Sequence, residues 1–200
     1  MGTYYDFPDD FEGCVRFHGH LCPGLAIGYA AVKAGASVLR MSPSPDEELV
    51  AVVENDSCAV DAVQVLLGCT FGKGNLIFRD WGKQVFTFID RATARAVRVS
   101  FVGEVPGREE RHALRAKIES GRAEESELSQ WEELREQVAA QIIRANPADF
   151  FTIEEVEFQI PPKASVVGTQ PCEVCSEPVV TDRMVKRGIM TICRECAEKP

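Results

Sequence analysis

LVAVVENDSCAVDAVQVLLGCTFGKGNLIF, residues Leu49–Phe78, sets the fold in outline. Leu49-Val-Ala-Val-Val-Glu54 is a short apolar run rich in β-branched residues, and it reads as a buried strand. Ser57 is a good helix N-cap, because its hydroxyl can accept a bond from a free helical N–H. Cys58–Leu67 follow as a short helix, and Gly68 ends it. The loop Cys69-Thr-Phe-Gly-Lys-Gly-Asn75 then leads to a second strand candidate, Leu76–Phe78.

Gln84–Ile89 and Ala96–Phe101 are further strand candidates, and a hairpin-like meander with Leu76–Phe78 is the simplest arrangement. Beyond Arg108 the pattern becomes charged and helical, with Gly121 dividing two helices. Leu128, Trp131, Leu134, Val138 and Ile142 recur every three or four residues and form one apolar face, for packing on the sheet or for a dimer contact. Ile153–Ile160 alternates as a last strand, and Pro161-Pro162 opens a linker. Towards the N-terminus, Pro8 and its acidic neighbours start a helix running to Phe17. Pro23 opens another, rich in small residues suited to close packing, which reaches Met41. The chain thus divides into a core domain over 1–163 and a small domain over 164–200.

Composition removes several classes. The 200 residues carry a net charge of −9, which repels phosphate backbones and argues against a nucleic-acid binder. No apolar run approaches the ~18 residues of a membrane helix. The acidic, aromatic arm Met1–Asp10 lacks the basic start and apolar stretch of a secretory signal, so the expected location is cytoplasmic. In that reducing setting, eight cysteines point to metal ligands or reactive thiols before disulfides.

Four of those cysteines form two Cys-x2-Cys pairs, Cys172/Cys175 and Cys193/Cys196. Each pair can place two thiolates on one side of an ion, and two pairs complete the tetrahedral shell that zinc accepts. A segment this short cannot bury enough core to fold alone, so the ion would supply the missing free energy, on the order of 10 kcal/mol. With all positions filled by protein, that zinc is structural. A rubredoxin-like iron site shares the spacing.

A second constellation lies near the start. His18, His20 and Cys22 alternate and would share one face of an extended segment. Cys22 precedes the helix opened by Pro23, and Cys58 follows the N-cap Ser57. Helix N-termini favour thiolate, so both positions suit a metal ligand or an activated nucleophile. The expected cluster is His20, Cys22 and Cys58, with His18 beside it, Cys69 undecided and Cys14 left in the core. Asp61, one turn beyond Cys58, could orient a ligand or act as acid/base. Gly72-Lys73-Gly74-Asn75 lacks the spacing of a phosphate-binding P-loop. It is a turn, or else an anion contact through Lys73.

The motifs His18-Gly-His-Leu-Cys-Pro-Gly24, Glu54-x3-Cys58-x2-Asp61-Ala-x-Gln64, Gly68-Cys-Thr-Phe-Gly-Lys-Gly-Asn-Leu76 and Gly82-Lys83 together resemble the FmdE family of formylmethanofuran dehydrogenase proteins. The resemblance implies an α+β core with a mixed or antiparallel sheet and packed helices, often dimeric, followed by a treble-clef-like zinc finger. It implies a site at His18, His20 and Cys22, with Cys58, Asp61 and Lys73 on the later motifs. One departure is Ser176, where the family's knuckle has glycine. The expected function is a metal-binding accessory protein or subunit of a molybdenum or tungsten oxidoreductase, forming a homodimer. It would carry structural zinc at the C-terminus and a second ion, again zinc, at the N-terminal site. The alternative is a free-standing enzyme on a small anionic substrate, with Cys22 and Asp61 catalytic and Lys73 binding.

Overall fold

The computed structural model of the chain describes residues 5–164 and 166–199, so the first four residues of the acidic arm lie outside the described residues. Two compact units result, Met1–Lys163 and Ala164–Pro200.

The first unit runs α1 (Asp9–His18), α2 (Pro23–Leu39), β1 (Leu49–Val53), α3 (Ala59–Leu67), β2 (Leu76–Phe78), β3 (Val85–Asp90), β4 (Arg95–Phe101), α4 (Arg108–Glu119), α5 (Glu125–Arg144), α6 (Pro147–Phe150) and β5 (Phe151–Val156). It is an α+β unit on a mixed five-stranded sheet of order β2-β1-β3-β4-β5. β1 and β2 are parallel, with Ala51 opposite Leu76. The other pairs are antiparallel, with Val52 opposite Thr87 and Val97 opposite Glu155.

The expected meander is corrected at its first step. Leu76–Phe78 does not turn back on the next strand. α3 carries the chain across so that β2 can lie parallel to β1, the kind of crossover a parallel pair requires. β3 then takes the other side of β1, and only β3 and β4 form a hairpin.

Burial follows the alternation of side chains along the strands. Leu49, Ala51, Val53, Phe86, Phe88, Val97 and Val99 join the main core with the helices. Val50, Val52, Ile89 and Ala96 form a smaller core on the opposite face, against which Phe158 and Ile160 pack. The last strand therefore differs from Ile153–Ile160. β5 starts at Phe151 and stops at Val156, because the residues beyond it roof the sheet instead of extending it. Arg91 fixes this return by donating to the carbonyls of Pro161 (2.5 Å) and Pro162 (3.3 Å).

α2 is the central helix, buried along most of its length. It packs on β4 and also against α3 and α5. α5 therefore meets the core chiefly through α2, not the sheet. Its apolar face is graded: Val138 and Ile142 are buried, Trp131 and Leu134 half-buried, and Leu128 exposed.

The small residues of α2 have a steric purpose. A Cβ on Gly28 would lie 2.1 Å from the carbonyl oxygen of Ala59, and one on Gly24 3.2 Å from Cys58 Cβ. Residues four apart share a helix face. That face lets the first turns of α2 meet the start of α3 at a distance no larger side chain permits.

The second unit contains β6 (Thr169–Pro171), β7 (Pro178–Val180), β8 (Met184–Arg187), β9 (Met190–Cys193) and α7 (Arg194–Glu198). β6 pairs with β7 and β8 with β9, both antiparallel. Its core is small: Cys172, Ile192, Cys193 and Cys196. A knuckle, a hairpin and a short helix follow in treble-clef-like order. No helix among the described residues is long and apolar enough to cross a membrane.

Candidate functional site

One donor atom from each of His18, His20, Cys22 and Cys58 lies within 4.8 Å of the others. The chain gathers them differently from the extended segment expected. His18 is the last residue of α1, Gly19 ends that helix at φ 89°, and Cys22 is the extended N-cap of α2 at φ −153°. A turn between two helices, not strand alternation, brings the three together. Cys58 arrives from α3. α3 starts one residue later than expected, with Cys58 at the cap position, and Ser57 braces that start, its Oγ accepting from Ala59 N at 3.4 Å and its carbonyl from Val60 N at 3.0 Å.

The Asp61 carboxylate is placed to orient His18. One carboxylate oxygen accepts from His18 Nδ1 at 2.6 Å, and the other accepts from Gln64 Nε2 at 3.1 Å. An ionised carboxylate only accepts, so the imidazole proton belongs on Nδ1 and the Nε2 lone pair is free. Nε2 stands 3.9 Å from Cys22 Sγ. A tetrahedral zinc with bonds of about 2.0 and 2.3 Å holds nitrogen and sulfur donors about 3.6 Å apart. The mixed sulfur and nitrogen set, its spacing and the fixed tautomer all fit a zinc-like ion.

The expectation of a depressed Cys22 pKa is reversed. Burial pushes the thiol up to about 11, and nearby Cys58 adds to this, against the opposing N–H of Leu25. That N–H lies 3.3 Å from Sγ, so the helix start does act, but burial outweighs it. Burial, with help from His18 and Arg135, lowers the pKa of His20 and favours the neutral, ligating imidazole. A Cys22 thiolate therefore needs a positive charge beside it, which a bound cation would supply.

Arg135 reaches the candidate site although no local pattern marks it. It sits on α5, distant in sequence, yet it donates to the carbonyl of Leu21 between two of the candidate ligands. Its other nitrogen bridges both oxygens of Glu132 at 2.9 and 3.2 Å, and its guanidinium lies 5.7 Å from the centre of the Trp131 ring. Only the packing of α5 on α2 brings it there.

Lys73 is not brought to the cluster. Its ammonium donates to the Ser44 carbonyl at 2.9 Å, past the C-terminal end of α3, whereas Cys58 is at the other end. The nine residues of α3 span about 13 Å. The glycine loop is a pinned turn: buried Asn75 accepts from Thr70 N and donates to the carbonyls of Asp46 and Leu49. Cys69 is fully buried, its thiol pushed by burial up to about 12. Cys14 is buried in the core, as its helical pattern implies. Glu54 shares a motif with Cys58 but pairs with Arg98 at 3.4 Å.

In the second unit, donor atoms of Cys172, Cys175, Cys193 and Cys196 also lie within 4.8 Å of one another. Cys175 and Cys193 Sγ are 4.0 Å apart, close to the ~3.8 Å separation of two sulfurs on a tetrahedral zinc. Cys193 caps α7, accepting from Cys196 N at 3.3 Å. Backbone N–H groups of Cys175 and Cys193 hold Cys172 down to about 6, whereas the neighbouring thiols, Cys193 first, push Cys196 up to about 12. Four thiolates cannot ionise side by side without a cation among them. The substitution at Ser176 leaves the knuckle intact: Ser176 adopts φ 63° and its N–H bonds the Cys172 carbonyl at 2.9 Å.

A probable S-adenosyl-L-methionine-binding protein of Archaeoglobus fulgidus is 32% identical over 191 residues, covering 91% of this chain and 50% of the relative. The chain thus spans about half the length of that curated relative. The crystal structure of a tungsten formylmethanofuran dehydrogenase FmdE-like protein from Syntrophus aciditrophicus shares the fold, with a TM-score of 0.61 and 24% identity, over 99% of this chain and 97% of that one. The family described as FmdE, molybdenum formylmethanofuran dehydrogenase operon, matches residues 17–152, from just before the first candidate ligand to the start of β5. With more than half of its length so matched, the chain belongs to the FmdE family.

Proposed function

We propose that this protein is a metal-binding accessory protein or subunit of a molybdenum- or tungsten-dependent oxidoreductase of the formylmethanofuran dehydrogenase type. In this reading Cys172, Cys175, Cys193 and Cys196 hold a structural zinc. His18, His20, Cys22 and Cys58 hold a second ion, most simply zinc. The observation that carries it is the convergence of four sulfur and nitrogen donors, with Asp61 setting the His18 tautomer. Four protein ligands fill a tetrahedral shell, which favours an ion held for structure or delivery over one that turns over substrate. Family membership supports the choice of partner. A homodimer belongs to the same proposal, and exposed Leu128 on α5 is a candidate contact.

Metal analysis of the purified protein and of Cys22→Ala tests the site. The expected result is two equivalents per chain, falling to one in the variant while the C-terminal ion stays. Unchanged metal content removes Cys22 from the ligands. Co-purification tests the partner, and a preparation free of any pterin-containing oxidoreductase counts against the accessory role.

A second reading, a free-standing enzyme on a small anion, is favoured by the exposure of His20. If that imidazole leaves the shell, a coordination position opens. Azide added to the cobalt-substituted protein distinguishes the two: a new absorption band supports an open position, and an unchanged spectrum supports a closed one.

A further inference from the structure

A groove between α4 and α5 takes no part in either cysteine cluster. It encloses about 380 Å³ and is lined by Arg111, His112, Arg115, Ala116, Glu119 and Trp131. Pockets of a few hundred Å³ suit small ligands. The whole chain carries −9, yet the wall of this groove holds two guanidiniums and an imidazole against one carboxylate.

The cations differ. Arg115 is paired one helical turn away with Glu119 at 2.7 Å, so the single acid of the groove is already engaged. The Arg111 side chain makes no hydrogen bond or ion pair with any described residue, and its Nε is buried without a partner. Burial, then the neighbouring Arg108, disfavours its charge. A buried N–H of a charged group that lacks an acceptor is costly. No described residue offsets the charge of this guanidinium, whose remaining N–H groups can meet an anion in the groove. Trp131 adds a half-buried planar indole to the same groove.

We propose that this groove binds an anionic small molecule with a planar ring, of the nucleoside phosphate class. Its phosphate bonds Arg111, supported by Arg115 and His112, and its base packs on Trp131. A guanidinium matches phosphate oxygens in a two-pronged geometry that an ammonium lacks. Arg135 links the groove to the ligand loop, because it reaches both the Trp131 ring and the Leu21 carbonyl. The proposal concerns the groove alone and holds with or without an ion at Cys22.

The chain has two tryptophans, so Trp81→Phe leaves Trp131 as the only indole reporter. Titrating that protein with AMP is expected to change its fluorescence saturably in the sub-millimolar range. Adenosine, which lacks the phosphate, and inorganic phosphate, which lacks the ring, should each bind at least about tenfold more weakly. Adding Arg111→Gln should weaken AMP by a similar factor, with circular dichroism and metal content unchanged. Absence of saturation at several millimolar AMP overturns the proposal. So does an Arg111→Gln protein that binds AMP as well as its parent, or adenosine binding as tightly as AMP.

Discussion

Gly28→Ala tests how two helices gather the N-terminal candidate ligands. The added methyl would lie 2.1 Å from the carbonyl oxygen of Ala59, 2.6 Å from its Cα and 2.7 Å from its carbonyl carbon. All three are backbone atoms, so no rotamer change relieves the clash. A carbon–oxygen contact relaxes to about 3.3 Å, so α2 and α3 must separate locally by about 1 Å. Overpacking of this kind costs about 1–3 kcal/mol, and a main-chain obstacle puts it at the upper end. Alanine's better helix propensity returns up to about 1 kcal/mol. The expected net loss is therefore about 2 kcal/mol, or roughly a 1 M fall in the urea midpoint for a domain of this size. Ala59 adjoins Cys58, so the same shift moves a candidate ligand by several times the ~0.2 Å that a metal site tolerates. Urea unfolding by circular dichroism reads the first effect, and sulfur-to-cobalt charge transfer in the cobalt-substituted protein reads the second. Gly24→Ala, which meets a side-chain carbon at 3.2 Å, should do less in both assays. An unchanged midpoint and an unchanged cobalt spectrum in Gly28→Ala would refute the argument.

Three further outcomes follow from the same geometry. Asp61→Asn should lower affinity at the N-terminal site by about 10- to 100-fold in a chelator competition, since it weakens the group that orients His18; equal affinity would show that Asp61 has no such role. Ser176→Gly should stabilise the second unit by about 1 kcal/mol, because glycine adopts φ 63° without the penalty a Cβ carries, and a chelator should then unfold it at higher concentration, not the same or lower. Burial raises the Cys69 thiol to about 12, above its unfolded value near 8.5, so its contribution to stability is complete below pH 8.5 and is lost as pH rises towards 12. Cys69→Ala should flatten that alkaline decline, and an identical pH profile would assign the decline elsewhere.

Local features are legible in the sequence, and long-range ones are hidden. Helix punctuation by Pro8, Pro23, Ser57, Gly68 and Gly121 and the strand character of Leu49–Val53 are decided within a few residues. The Cys-x2-Cys spacing is local in the same way, as a short turn sets the distance within each pair. The side on which β2 pairs is not local. It depends on α3 acting as a crossover, and Leu76–Phe78 is too short to declare a parallel partner. Arg135 is hidden for a related reason, because a basic residue on a charged helix looks like solvated surface until α2 brings α5 to the Leu21 carbonyl. The sign of the Cys22 shift escapes the sequence because helix position can be inferred from it and depth of burial cannot.

Three of the four N-terminal donors sit where helices begin or end, His18 as the last residue of α1, Cys22 as the cap of α2 and Cys58 as the residue before α3, and His20 lies in the turn between the first two helices. An ion seated among them would act as a clasp across three rods, closing a loop of about 40 positions between His18 and Cys58. A crosslink of that span constrains the unfolded chain by about 4 kcal/mol. Metal supply would then govern how tightly the first third of the chain is buttoned to the remainder, so demetallation should expose α1 to proteases well before the sheet gives way.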